Sequence, residues 1–78
     1  MMKYEFVQYA SCVAYEPELF ATKKEAMACA SEWVRETRKH ARHKLTQVGS
    51  FHELDKVELK IGGRQGYHTY ATATVNKL

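Results

Sequence analysis

Residues 22–44 read TKKEAMACASEWVRETRKHARHK, and this stretch decides the fold. At about 100° per residue, Ala26, Ala30, Trp33, Val34, Thr37 and Ala41 gather on one face of a helix from Lys23 to about Lys44. Lys24, Arg35, Arg38, Lys39 and Arg42 gather on the opposite face. Thr22-Lys23-Lys24-Glu25 is a capping box: the threonine hydroxyl accepts from the N–H of Glu25, and the Glu25 carboxylate reaches back to the N–H of Thr22. Small residues between Ala26 and Ala30 let the helix sit close to whatever it covers, and Trp33 and Val34 supply bulk. The basic C-terminal half suits the negative end of the helix dipole.

Upstream, Lys3 to Tyr15 is rich in Tyr, Phe and Val and free of Gly and Pro, so it reads as strand. One face carries Tyr4, Phe6, Gln8, Ala10 and Cys12, and the other Glu5, Val7, Tyr9, Ser11, Val13 and Tyr15. Neither is cleanly polar, so the buried face stays open. Glu16-Pro17-Glu18 ends the run. Leu19-Phe20-Ala21 is either a short return strand or the lead-in to the helix.

Downstream, Leu45 to Asp55 is ambiguous. Gly49-Ser50 marks a break, and Leu45, Val48, Phe51 and Leu54 recur every three residues, as in an anchored loop or a short helical turn. Val57, Leu59 and Ile61 then alternate with Lys56, Glu58 and Lys60, which is a half-buried strand. Gly62 to Gly66 reads as a hairpin turn, and Tyr67 to Val75 as the returning strand. Tyr67, Thr69, Ala71, Ala73 and Val75 fall on one side of it, and His68, Tyr70, Thr72 and Thr74 on the other. The order β-α-β-β predicts an α+β fold: an antiparallel three- to four-stranded sheet with one long helix on one face. Ala26 and Ala30 then meet Ala71 and Ala73, with Trp33 filling the edge.

A chain of 78 residues, 45% hydrophobic and 27% charged, is expected to form one small soluble domain. Its size is near the lower limit for independent stability, which leaves room for a homodimer. The apolar runs are too short for a membrane span, and the opening Met1-Met2-Lys3-Tyr4-Glu5 has no signal-peptide core, so a cytoplasmic location is expected. In that compartment Cys12 and Cys29 are read as reduced, packed small hydrophobes rather than a disulfide. The net charge of +3 is mildly basic. Its distribution matters more: Arg35, Arg38, Lys39, Arg42 and Lys44 cluster with His40 and His43 between them.

No residue set amounts to a reaction. His40 and His43 are three apart on the helix, but a metal site needs further ligands, which His52, His68 or Cys29 would have to supply; no metal or cofactor is expected. A cysteine nucleophile needs a pocket and a lowered thiol pKa, and both cysteines fall in regular elements. The acids Glu16, Glu18, Glu53 and Asp55 flank turns. The glycines after Ile61 link two strands, unlike a phosphate loop. The chain therefore reads as non-enzymatic.

Two surfaces stand out as binding candidates. The basic stripe of Lys24, Arg35, Arg38, Lys39 and Arg42 spans about 27 Å at 1.5 Å per residue, suiting phosphates or an acidic protein groove. The plain alternative is a solvated face, paired with Glu25, Glu32 and Glu36. The uncovered sheet face is the second: if Ala71 and Ala73 face the helix, then His68, Tyr70 and Thr72 face outward, joined by Tyr9 or Phe6. Such tyrosines stack bases, anchor protein interfaces or pair across strands.

In length, strand–helix–strand–strand order and lack of catalytic residues, the chain resembles small phage-encoded regulators, including several anti-CRISPR proteins. The resemblance rests on size and architecture, without a motif, so it transfers no functional residue. It implies a protein that occupies a surface on a larger bacterial machine, in the host cytoplasm. Many such proteins imitate DNA with acidic surfaces, and this basic chain departs from that pattern. The reading that follows is a binding protein that inhibits or modulates a larger assembly, a protein or nucleoprotein complex. The alternative is a nucleic-acid-binding module using the basic helix face.

Overall fold

The structure, a computed structural model, describes residues 1–10, 13–51, 56–62 and 68–78. It is α+β, with helix α1 (Lys23–His40) on one face of an open six-stranded antiparallel sheet. The strands are β1 (Tyr4–Ala10), β2 (Val13–Ala14), β3 (Glu18–Phe20), β4 (Leu45–Val48), β5 (Lys56–Ile61) and β6 (His68–Lys77). Their order is β2-β1-β6-β5-β4, and β3 pairs with β1.

The helix on an antiparallel sheet is the expected architecture, but the sheet is wider than three or four strands. The run from Lys3 to Tyr15 is two strands instead of one. Val13 pairs back with Ala10 and Ala14 with Tyr9. A Tyr- and Val-rich run fits both arms of a hairpin as well as one continuous strand, so composition does not separate the two. Residues Ser11 and Cys12 lie outside the described residues. Of the two readings of Leu19-Phe20, the return strand is the observed one, with Phe20 opposite Tyr4. Leu45–Val48 adds β4 alongside β5.

Directly opposed residues in an antiparallel sheet share a face. Phe6 opposes Val75, Gln8 opposes Ala73 and Ala10 opposes Ala71, so these side chains lie under the helix. Glu5, Val7 and Tyr9 oppose Asn76, Thr74 and Thr72 on the uncovered face. The pairing settles the buried face of β1: Phe6 is core, and only Tyr9 joins the open face.

The start of α1 follows its capping signal. Thr22 is extended (φ −126°, ψ 154°), and the Glu25 N–H donates to its Oγ1 at 3.2 Å. The Thr22 hydroxyl donates to Glu25 Oε1 at 2.9 Å, where the sequence predicted the backbone N–H of Thr22 as the donor. The end comes earlier than predicted. Ala41 leaves the helical region (φ −74°, ψ 142°), its N–H bonding back to Thr37. No glycine or proline stops the helix there. Leu45 pairs with Ile61 at the sheet edge, and the chain needs residues 41–44 to reach it, so tertiary pairing overrides local propensity.

Small residues set the helix–sheet distance. Ala26 and Ala30 are both 0% exposed and share one buried cluster with Val57, Leu59, Ala71, Ala73 and Val75. Trp33 is buried and packs against two phenylalanines. Its ring lies 6.0 Å from Phe6 and 6.5 Å from Phe51, and Phe6 and Phe51 are 6.3 Å apart. The Phe6–Trp33 and Trp33–Phe51 pairs are edge-to-face, an arrangement that adds about 0.5–1.5 kcal/mol each beyond burial, and the Phe6–Phe51 pair is tilted. Leu45 and Phe51 are buried while Val48 is exposed. The three-residue spacing there is a strand followed by a turn, with Gly49 at φ 89°. Leu54 lies outside the described residues.

β5 alternates as expected, with Val57 and Leu59 buried and Glu58 between Lys56 (4.0 Å) and Lys60 (3.8 Å) on the open face. Gly62 takes φ 108°, while the rest of the expected turn, through Tyr67, lies outside the described residues. β6 contains a bulge: Leu59 opposes Ala71, but Lys60 opposes Thr69. Tyr70 is the additional residue. The bulge exchanges the faces of the residues before it.

Candidate functional site

The connections bring one end of α1 and one end of the sheet together. α1 starts after β3, which pairs with the beginning of β1, and finishes before β4, whose Leu45 opposes Ile61, itself opposite His68. Arg38, Lys39 and His40 in the last helical turn, Arg42, His43 and Lys44 in the connection, and Lys60 and His68 in the sheet therefore share this end. All but Lys60 are exposed. Cations here complement the carbonyl end of the helix.

Lys24, Arg35, Arg38 and Lys39 are exposed on the solvent side of α1, spanning about 22 Å at 1.5 Å per residue. Arg42 lies beyond the helix, so the stripe is shorter than predicted and bends into the connection. The glutamates that the solvated-face alternative pairs with it form no ion pair with it among the described residues. Among the described residues, Lys24, Arg35, Arg38, Lys39, Arg42 and Lys44 make no ion pair; Glu36 meets only His40, Nε2 to Oε2 at 3.4 Å.

Glu25 and Glu32 instead border the other flank of α1. With Glu18, Leu19, Phe20, Ala28 and Cys29 they line an open depression of about 620 Å³. The Cys29 thiol donates to Glu18 Oε2 at 2.9 Å. Burial, then the Glu18 hydrogen bond and the charges of Glu18 and Glu32, push this thiol from its ordinary 9.0 up to about 12. A protonated thiol beside carboxylates is the reverse of an activated nucleophile. Among the described residues no three His, Cys, Asp or Glu side chains converge as metal ligands. His52 and Cys12 lie outside those residues.

The outward trio of the sheet does not assemble as predicted. The bulge puts His68 opposite Ile61, on the helix side, and Thr69 opposite Lys60, on the open side. The Thr69 hydroxyl donates to Glu58 Oε2 at 3.1 Å. Tyr70 is half-buried and packs against the core cluster. Thr72 remains on the open face beside Tyr9, which is 51% exposed.

No family model, curated protein or solved structure matches the chain. The site therefore rests on geometry and charge. Sequence reading placed Lys44 in the basic cluster but missed Lys60, because its placement follows from strand pairing. Among the described residues, no helix is long and apolar enough to cross a membrane.

Proposed function

We propose that this chain is a non-enzymatic binding protein that inhibits or modulates a larger assembly by occupying an anionic surface on it. The observation that carries this reading is the exposed row Lys24, Arg35, Arg38 and Lys39, continued by Arg42 and Lys44, none of which makes an ion pair among the described residues. Unpaired cations on one side raise the encounter rate with an acidic surface and disfavour basic ones. The protonated Cys29 does not serve as an activated nucleophile. In its most specific form the proposal is an anti-CRISPR-like inhibitor acting in a host cytoplasm on a protein or nucleoprotein complex.

The straight row on α1 also favours a second reading, a nucleic-acid-binding module that contacts phosphates and reads no bases. One experiment separates the two. The tagged chain and its Arg35→Glu/Arg38→Glu/Arg42→Glu variant are used to capture partners from bacterial lysate, with and without nuclease. The binding of both proteins to DNA and RNA is titrated against salt. A nuclease-resistant protein complex, lost in the variant while its circular dichroism is unchanged, supports surface occupation. Nuclease-sensitive capture, with affinity falling steeply in salt, supports the module. Binding that survives charge reversal removes the basic face from both readings.

A further inference from the structure

We propose that the outer edge of β4 is a self-association surface, on which a second copy of this chain adds its own β4 antiparallel across a two-fold axis. The two edges of the sheet differ in kind. One consists of β2 and β3, strands of two and three residues separated by Tyr15-Glu16-Pro17, and Pro17 has no N–H to offer. Short strands, charge and proline are how sheets blunt an edge. The other edge is Leu45-Thr46-Gln47-Val48, four residues with no charge and no proline. Its inner side pairs with β5, and no described strand or backbone group pairs with its outer side.

The edge is complementary to itself. A two-fold axis relating neighbouring antiparallel strands stands perpendicular to the sheet, so each residue keeps its face. Leu45 and Gln47 lie on the helix side, opposite Ile61 and Leu59, whereas Thr46 and Val48 lie on the open side, opposite Lys60 and Glu58. Only residues of the same face oppose each other, and the two registers that pair the most of β4 have the axis at Thr46 or at Gln47. In the first, Thr46 meets Thr46 of the second copy and Lys44 meets Val48. In the second, Gln47 meets Gln47 and Thr46 meets Val48, while Lys44 falls opposite Ser50. Neither register brings two charged side chains together, so the occupant that fits this edge is a second copy.

A groove beside the strand adds apolar surface to the backbone pairing. It holds about 210 Å³ and is lined by Met27, Ser31 and Val34 of α1 with Gln47, Ser50 and Phe51. Met27 and Val34 are half-buried there. A second strand laid along β4 closes its outer side. The perpendicular axis also keeps both helices on the same side of the joined sheet.

Sedimentation equilibrium over a range of protein concentrations tests this, with Gln47→Lys, Val48→Lys and the double variant. The wild type is expected to move from the 9.0 kDa monomer to twice that mass. Val48→Lys sets like charges against Lys44 in the first register, and Gln47→Lys sets them against each other in the second. The double variant is therefore expected to dimerise more than about tenfold more weakly in either case. The single variant that has the effect identifies the register. Hydrogen exchange on the wild type needs no substitution, and β4 amides are expected to slow as concentration rises. A monomer at every concentration overturns the proposal. So does a dimer with no concentration-dependent protection in β4, or one that a folded double variant leaves intact. None of these substitutions touches the basic face, so failure here is distinct from failure of the binding reading.

Discussion

The Cys29 thiol and the Glu18 carboxylate, 2.9 Å apart, link the first half of α1 to the first residue of β3. This is a side-chain tie between the helix and the sheet edge opposite β4. A thiol donor keeps its proton in this position, because a thiolate would face the Glu18 and Glu32 charges.

Cys29 is therefore expected to resist alkylation at neutral pH. Peptide mapping after iodoacetamide treatment should show slow labelling that accelerates only well above pH 9. Glu18→Gln removes the neighbouring charge but leaves the burial, so labelling should quicken without reaching the rate in the unfolded chain. Fast labelling of the wild-type thiol at pH 7 contradicts the arrangement.

The same group makes stability depend on alkaline pH. Unfolded, the thiol loses its proton near 9.0; folded, it keeps it until about 12. Below pH 9 both states hold the proton, and the group adds no pH dependence. Between 9 and 12 only the unfolded chain releases it, so stability falls as pH rises through that window. Urea midpoints of the wild type should drop across this range relative to Cys29→Ala.

Phe51 follows β4 and fills the gap between Phe6 and Trp33. Phe51→Ala should cost about 3–5 kcal/mol. Trp33 is the one tryptophan in the sequence, so its fluorescence reads this site directly during urea unfolding. A cost below about 1 kcal/mol places Phe51 outside the core.

Ala30 is fully buried on the sheet-facing side of α1. Ala30→Leu has to lift α1 from Ala71 and Ala73 or force strained rotamers, and overpacking of this kind costs about 1–3 kcal/mol. The same leucine at exposed Ala28 should be neutral within about 0.5 kcal/mol. Thermal melts of the two variants give the comparison.

Thr22→Ala removes the hydroxyl that caps the Glu25 N–H. A loss of about 1 kcal/mol is expected, with fraying confined to the first turn by hydrogen exchange. Thr22→Ser should retain most of the stability.

Legibility followed the range of the interactions involved. The α1 start, the alternation of β5 and the Ala26–Ala30 contact stripe were all readable, because each is set by residues within a few positions. The end of α1 was not, since it answers to Leu45 pairing with Ile61. Nor were the faces of His68 and Thr69, which depend on one additional residue in β6. For the basic stripe, the members named from sequence are exposed, and the plain alternative paired them with Glu25, Glu32 and Glu36. Side-chain direction sends Glu25 and Glu32 to the groove beside Cys29 instead.

The central strand pairing has a consequence for how the chain acquires its shape. β1 lies between β3 and β6, and its long partner is β6: Tyr4 opposes Lys77, and Ala10 opposes Ala71. During vectorial synthesis, Phe6 waits for Val75 until β6 has left the ribosome. Before that, α1, the β4–β5 pair and the short β2 and β3 pairings on the other edge of β1 have their local partners. Non-local closure of this kind slows folding and leaves the hydrophobic face of β1 without its cover on a nascent chain.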